Sequence, residues 1–213
     1  MITIQKFTFN PFQENTYLLY DESKSAIVVD PGCYEKSEEQ EIQSFIDSND
    51  LSLDMVINTH CHIDHILGNA FFYDTYDTKP IIHELDLKVL QSVPEYGHTF
   101  GINVIPSPDP EIYLEDGDII DFGNSELKVM HIPGHAPGHV VLINEAQKFI
   151  IGGDVLFYGS IGRTDLPYGD HDTLIQSIKE KLLVLDEDYK VYPGHGPATY
   201  IGFEKKNNPF LRD

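Results

Sequence analysis

Thr59-His60-Cys61-His62-Ile63-Asp64-His65 sets three histidines and one aspartate within six residues. The apolar run Met55-Val56-Ile57 precedes it and Gly68 follows, which predicts a strand, a ligand-bearing loop and then a helix. Imidazole and carboxylate are the usual ligands of zinc and related ions. His60 and His62 are two residues apart, so an extended backbone points both to one side, where they can share an ion. Asp64 and His65 turn off that line and are free to serve a second ion. The bland alternative is a solvated polar loop. It gives no reason for such packing in a chain where histidine is otherwise sparse.

Outward from this stretch, residues 2–9, 16–20 and 25–30 read as strands, broken at Asn10-Pro11 and stopped at Pro31-Gly32. Ser37 and Gln40 resemble a capping box, followed by Ile42, Phe45 and Ile46 at helical spacing. Beyond the loop, 68–76 reads as a short helix, 80–83 as a strand and 84–91 as a helix. Residues 92–110, rich in proline, read as a loop or flap. Strands are expected over 119–122, 127–131, 140–143, 148–151 and 190–192. A helix over 171–184 would put Leu174, Ile178 and Leu182 on one face. Strands then helices occur in both halves, an order that fits two mixed sheets packed together with helices outside, in a single domain spanning 1–213.

Fourteen basic against 35 acidic side chains leave a formal charge of −21. A nucleic-acid face must neutralise phosphates, so nucleic acid is not an expected partner, and neither is an anionic membrane. No stretch has the length of a membrane span, the first residues lack the pattern of a signal peptide, and two cysteines make no disulfide framework. These features predict a cytoplasmic protein. They say nothing of oligomeric state.

Three further positions sit where apolar strands stop. His131, His135 and His139 are spaced by four around Pro133-Gly134 and Pro137-Gly138, and at least one is expected to be a ligand. Asp154 follows Gly152-Gly153. A carboxylate there can bridge two ions through its two oxygens. His195 lies between two glycines, which let the backbone approach a crowded site.

His60-x-His62-x-Asp64-His65, Pro133-Gly134-His135, Gly153-Asp154 and Pro193-Gly194-His195, in that order and with Asp30-Pro31-Gly32 before them, resemble the metallo-β-lactamase-fold hydrolases. The likeness implies a four-layer αβ/βα sandwich with the site at one edge of the paired sheets. Gly153-Asp154-Val155-Leu156-Phe157 and Ser160-Ile161-Gly162-Arg163-Thr164-Asp165-Leu166-Pro167 are most similar to the short bacterial members of the glyoxalase II group. The resemblance assigns His60, His62 and His135 to one divalent ion and Asp64, His65 and His195 to the other, with Asp154 bridging. Zinc is the first expectation, iron and manganese the alternatives. It further implies that Asp64 orients a metal-bound hydroxide, that Arg163 contacts substrate, and that Asp30 and His139 orient ligands. His83, His98 and His171 are expected to be surface or cap residues.

The implied reaction is hydrolysis of a small acyl thioester such as S-lactoylglutathione. It suits a site without an extra acid, because a thiolate departs far more readily than an alkoxide. The chain departs from the larger glyoxalase II enzymes in four places. Arg163 stands for a substrate-binding lysine, Asp165 and Pro197 stand where those enzymes have tyrosines, and 18 residues follow His195 where they carry a helical domain. A persulfide dioxygenase using one iron shares Gly162-Arg163-Thr164-Asp165 and is the principal alternative. A lactonase of the same fold is another. A purely structural metal protein fits poorly, because structural zinc sites close at four ligands.

Overall fold

The computed structural model describes residues 1–212. The first half forms a mixed sheet of β1 (Thr3–Phe9), β2 (Glu14–Tyr20), β3 (Ser25–Val29), β4 (Ser52–Ile57), β5 (Pro80–His83) and β6 (Tyr113–Leu114), adjacent in chain order. The second half supplies β7 (Ile119–Phe122), β8 (Ser125–His131), β9 (Val140–Asn144), β10 (Phe149–Gly153), the small hairpin β11 (Leu156–Phe157) and β12 (Ser160–Ile161), β13 (Lys190–Pro193) and β14 (Thr199–Tyr200). Its six-stranded sheet runs β14-β13-β10-β9-β8-β7.

Alternation explains why the strands read as unbroken apolar runs. Tyr17, Leu19, Ile27, Val29 and Ile57 of the first sheet meet Leu127, Val129, Val140, Leu142 and Ile151 of the second in one core. The intervening Leu18, Ala26 and Val28 face the opposite way, onto the helix α1 (Lys36–Ser48) and Phe72 of a later helix. Val141, Ile143 and Ile150 face a third cluster with Leu174, Ile178 and Leu182. Both faces of each central strand are buried, as in sheets covered on two sides. The result is the helix–sheet–sheet–helix sandwich expected.

The metal-loop region turns helical earlier than the sequence predicts. A single turn, α2 (Ile63–Ile66), already contains Asp64 and His65, and α3 (Asn69–Tyr76) follows. The capping box of α1 is formed by Glu35 and Glu38, not by Ser37 and Gln40. Residues 92–110 are not all loop. α4 (Leu87–Tyr96) runs through Pro94 because Val89, Leu90 and Val93 bury against Cys61, Ile63 and Ile66, and this packing outweighs the proline. The predicted 171–184 helix is α5 (His171–Ser177) continued by a wider π-type turn at Ile178–Leu182. A last helix, α6 (Ile201–Asn207), has no counterpart in the sequence reading.

Parallel pairing places the site. β3 and β4 run parallel, with Val29 opposite Ile57, so the segments after both strands emerge together. β10 and β13 do the same, with Gly153 opposite Pro193. Two backbone hydrogen bonds join the halves at this edge, Val140 N–H to the Thr59 carbonyl (2.8 Å) and Asn15 N–H to the Gly194 carbonyl (2.7 Å).

Candidate metal centre

The edge gathers residues that are far apart in the chain. The donor atoms of His60, His62 and His135 lie within 4.8 Å of one another, and so do those of Asp64, His65 and His195. His135 Nε2 stands 2.8 Å from His62 Nδ1 and 3.2 Å from His60 Nε2. His135 Nδ1 donates to the Arg163 carbonyl (2.7 Å), which leaves Nε2 as the lone-pair atom facing the other two rings.

The second group is built around His65. Its Nε2 lies 3.8 Å from Asp64 Oδ2 and 3.5 Å from Asp154 Oδ1, and Asp64 Oδ2 is 3.0 Å from His195 Nε2. Asp154 stands between the groups, its Oδ2 3.7 Å from His135 Nε2 and 3.6 Å from His195 Nε2. Buried His65 Nε2 and Asp154 Oδ1 have no hydrogen-bond partner among the described residues. Lone pairs converging out of water are costly unless something positive satisfies them. The nitrogen and oxygen donors therefore fit divalent ions of the zinc, iron or manganese kind.

Electrostatics separate the two groups. Burial, reinforced by neighbouring imidazoles, holds His60 well below the usual histidine range, and burial with His135 nearby brings His62 down to about 3. Burial also lowers His135, against the pull of Asp154. These rings are neutral at pH 7, the form that binds a metal. Burial pushes His65 down too, but the carboxylates of Asp64, Asp154 and Asp30 outweigh it and raise it well above its usual range. His195 rises likewise, burial being overcome by its bond to Asp64 and by Asp154. For Asp64 and Asp154 burial works upward, yet attraction to His65 dominates and both are lowered. Carboxylate charge thus concentrates on the second group and on Asp154, which stands between the two.

A supporting layer fixes these side chains. Asp30, in the left-handed region at φ 52°, accepts from the backbone N–H and the hydroxyl of Thr59 (2.6 Å each) and lies 3.1 Å from His65 Nδ1. Both its oxygens are engaged in this way, and its donor atoms also lie within 4.8 Å of those of His60 and His65. His139 Nε2 accepts from the Asp154 backbone N–H (3.0 Å), and its ring stacks on His60 at 4.8 Å. Gly153, at φ 47°, gives these groups room: a Cβ there would lie 2.3 Å from Thr59 Oγ1 and 2.6 Å from His139 Nε2. Asn15 donates to the carbonyls of Pro193 and Gly196 and Tyr17 to that of Pro193, holding the His195 loop.

Other candidates fall elsewhere. His131 leaves the cluster, bonding the Pro137 carbonyl and stacking on His83 at 4.2 Å. Cys61 points into the packing beneath α4, as alternation predicts. The Arg163 guanidinium is exposed and makes a two-point pair with Asp165 at 2.7 Å for each bond, while its carbonyl serves His135. The sequence reading missed Glu14, Asn10 and Asp86. Glu14 is buried 3.9 Å from His65 Nδ1, and burial raises its carboxyl. Asn10 donates to the Asp64 and Gly32 carbonyls (2.9 Å each). Asp86 accepts from two loop N–H groups, and burial pushes it up to about 6 against their pull. Only the turn-forming Asn10-Pro11 gave any local signal among them.

A groove of about 280 Å³ opens beside His195, walled by Phe157, Tyr158, Ser160, Gly196 and Pro197. A larger depression of about 620 Å³, around Tyr73, Lys79 and Glu111, contains none of the clustered ligands. Among the described residues no helix is long and apolar enough to cross a membrane.

The model of the metallo-beta-lactamase superfamily matches residues 9–195, a span that holds the whole cluster. The chain belongs to that superfamily. The hydroxyacylglutathione hydrolase GloC of Haemophilus influenzae is 37% identical over 216 residues, covering 99% of this chain and 98% of its own. Among superfamily structures, BLEG-1 B3 metallo-beta-lactamase superposes with a TM-score of 0.90 at 32% identity, covering 99% of this chain and 100% of its own. TTHA1623 in a di-iron-bound form gives 0.87 at 34% identity, with 97% and 100% covered. The superfamily fold and a His/Asp cluster able to hold metal ions make this chain a metallo-hydrolase.

Proposed function

We propose that this chain is a thioesterase of the glyoxalase II type, acting on small acyl thioesters such as S-lactoylglutathione in the cytoplasm, as one domain spanning 1–213. His60, His62 and His135 would hold one divalent ion and Asp64, His65 and His195 a second, with Asp154 shared. Zinc is the proposed metal. When bound, such a pair activates water at neutral pH and polarises a carbonyl. The observation that carries this reading is Asp154 Oδ2, placed 3.7 Å and 3.6 Å from a histidine of each group. Kinship with a hydroxyacylglutathione hydrolase supports the substrate class.

The chain's own residues have definite parts. The groove beside His195 receives the thioester, with Phe157, Tyr158 and Pro197 against its apolar portion. Asp64 Oδ2, 3.0 Å from Nε2 of the groove-lining His195, orients the attacking water and accepts its hydrogen bond. The groove lining holds no carboxyl group and no second histidine to act as a general acid, and none is needed, since a thiol of pKa about 8.5 leaves as thiolate unaided. Arg163 lies on the loop that follows the groove hairpin and is the proposed contact for a substrate carboxylate.

The test is a paired assay on protein purified without added metal. Thiol release from S-lactoylglutathione without oxygen uptake, alongside about two bound ions per chain, is the expected result. Oxygen uptake with glutathione persulfide and a single tightly held iron would move the assignment to the dioxygenase class. The di-iron form of TTHA1623 is the observation that keeps iron in the panel.

A further inference from the structure

Asp86 is a fully buried carboxylate that the ligand set does not use, as are Glu14 and Glu204. It sits at the end of a short 3-10 turn, Glu84–Asp86, which His83 caps by accepting from the Leu85 N–H at 3.2 Å. Its two oxygens reach two different loops. Oδ2 accepts from the Cys61 N–H at 2.8 Å, and Oδ1 from the Gly138 N–H at 2.6 Å. Cys61 is the residue between His60 and His62, and Gly138 lies between His135 and His139.

We propose that Asp86 is a positioning residue that sets the distance between the two loops of the first metal group by clamping their backbones to one carboxylate. This rests on the ligand assignment above and adds to it the element that holds His60 and His62 against His135. The approach is close: a Cβ on Gly138 would lie 2.7 Å from Asp86 N and 2.9 Å from Oδ1, so glycine is required there. His131 steadies the same loop through the Pro137 carbonyl at 2.8 Å. The second group is fastened separately, by Asn10 on the Asp64 carbonyl, Asn58 on the His65 carbonyl and Asn15 on the His195 loop. Loosening Asp86 therefore acts on one ion and not on both.

Asp86→Asn keeps the shape but turns one acceptor into a donor facing an N–H. Partners that orient metal ligands typically contribute about 10- to 100-fold in metal affinity. The experiment titrates metal-stripped protein with cobalt(II), followed by visible absorption, and with zinc under competition by a chelator. For Asp86→Asn the first group's affinity is expected to fall by about 10- to 100-fold while the second group's stays at the wild-type value. Gly138→Ala, which pushes the carboxylate aside, should reproduce that selective loss. His60→Ala and His195→Ala identify which binding phase belongs to which group. Wild-type protein that binds a single ion, or His60→Ala that loses neither phase, defeats the ligand assignment itself. Two intact phases in Asp86→Asn, or equal weakening of both with a lowered melting temperature, overturns the clamp while leaving that assignment standing. If Asp86→Asn does not fold, Gly138→Ala decides alone, and failure of both to fold assigns Asp86 to general stability and overturns the proposal.

Discussion

His139 Nε2 accepts a hydrogen bond from the backbone N–H of Asp154 across 3.0 Å, so a histidine 15 residues upstream fixes the carboxylate that stands between the two metal groups. His139→Phe would keep a ring against His60 but leave that buried N–H unpaired. A loss of about 1–3 kcal/mol in unfolding free energy is expected, together with weaker metal retention at both groups. Urea denaturation of the metal-stripped protein and metal analysis of the loaded one check the two halves. Unchanged stability would mean that the N–H finds another acceptor.

Asp154→Ala should lower occupancy at both groups, because it removes the carboxylate they share. His195→Ala should chiefly weaken the group made with Asp64 and His65. Metal content by elemental analysis, read against chelator concentration, separates these patterns. Loss of a single ion in Asp154→Ala, with the other at full affinity, would contradict the bridging role.

Arg163 and Asp165 are both largely exposed, and solvent screening leaves such a pair little net contribution to stability. Arg163→Ala should therefore leave folding intact. His135 should also stay oriented, since its partner is the backbone carbonyl of residue 163. As the proposed substrate contact, Arg163→Ala should raise KM for S-lactoylglutathione by up to about tenfold at unchanged kcat. Asp165→Asn, which frees the guanidinium, should lower it. A KM that moves in neither variant would confine the pair to the loop's own structure.

Glu204 of α6 is fully buried and accepts from the Gly159 N–H at 3.1 Å, from Asn208 Nδ2 at 2.8 Å and from the Thr199 hydroxyl. Asn208 also donates to the Ser160 carbonyl, and Tyr158 stacks on Phe203 at 4.7 Å. The short C-terminal helix thus holds the hairpin that walls the substrate groove. Glu204→Ala strands several buried donors, and a cost of at least about 2 kcal/mol is expected. With metal loading unchanged, KM should rise while kcat changes little. Denaturation and steady-state kinetics test this. An unaltered KM would detach the hairpin from substrate binding.

The histidine and aspartate cluster is written locally, and so it was legible. Six residues from His60 to His65 carry the donors of both groups, and the strands show as apolar runs because each is buried on two faces. The weaker local signals misled. Ser37 and Gln40 have the letters of a capping box, but the chain enters α1 two residues earlier, where Glu35 and Glu38 make the same exchange. Pro94 reads as a helix breaker, yet the apolar face of α4 buries against the metal-loop core and carries the helix past it.

By itself the sequence determined the two sheets, the order of the clustered histidines and aspartates and the strand ends from which they project. These follow from periodicity and side-chain type, which are properties of neighbouring residues. Only the tertiary structure decided that Arg163 serves His135 through its carbonyl, that His131 turns outward to His83, and that Asp86 joins Cys61 to Gly138. In each case the partner is a backbone group or a ring dozens of residues away. Every residue but proline carries the same N–H and carbonyl, so the identity of that partner is fixed by packing the sheets together.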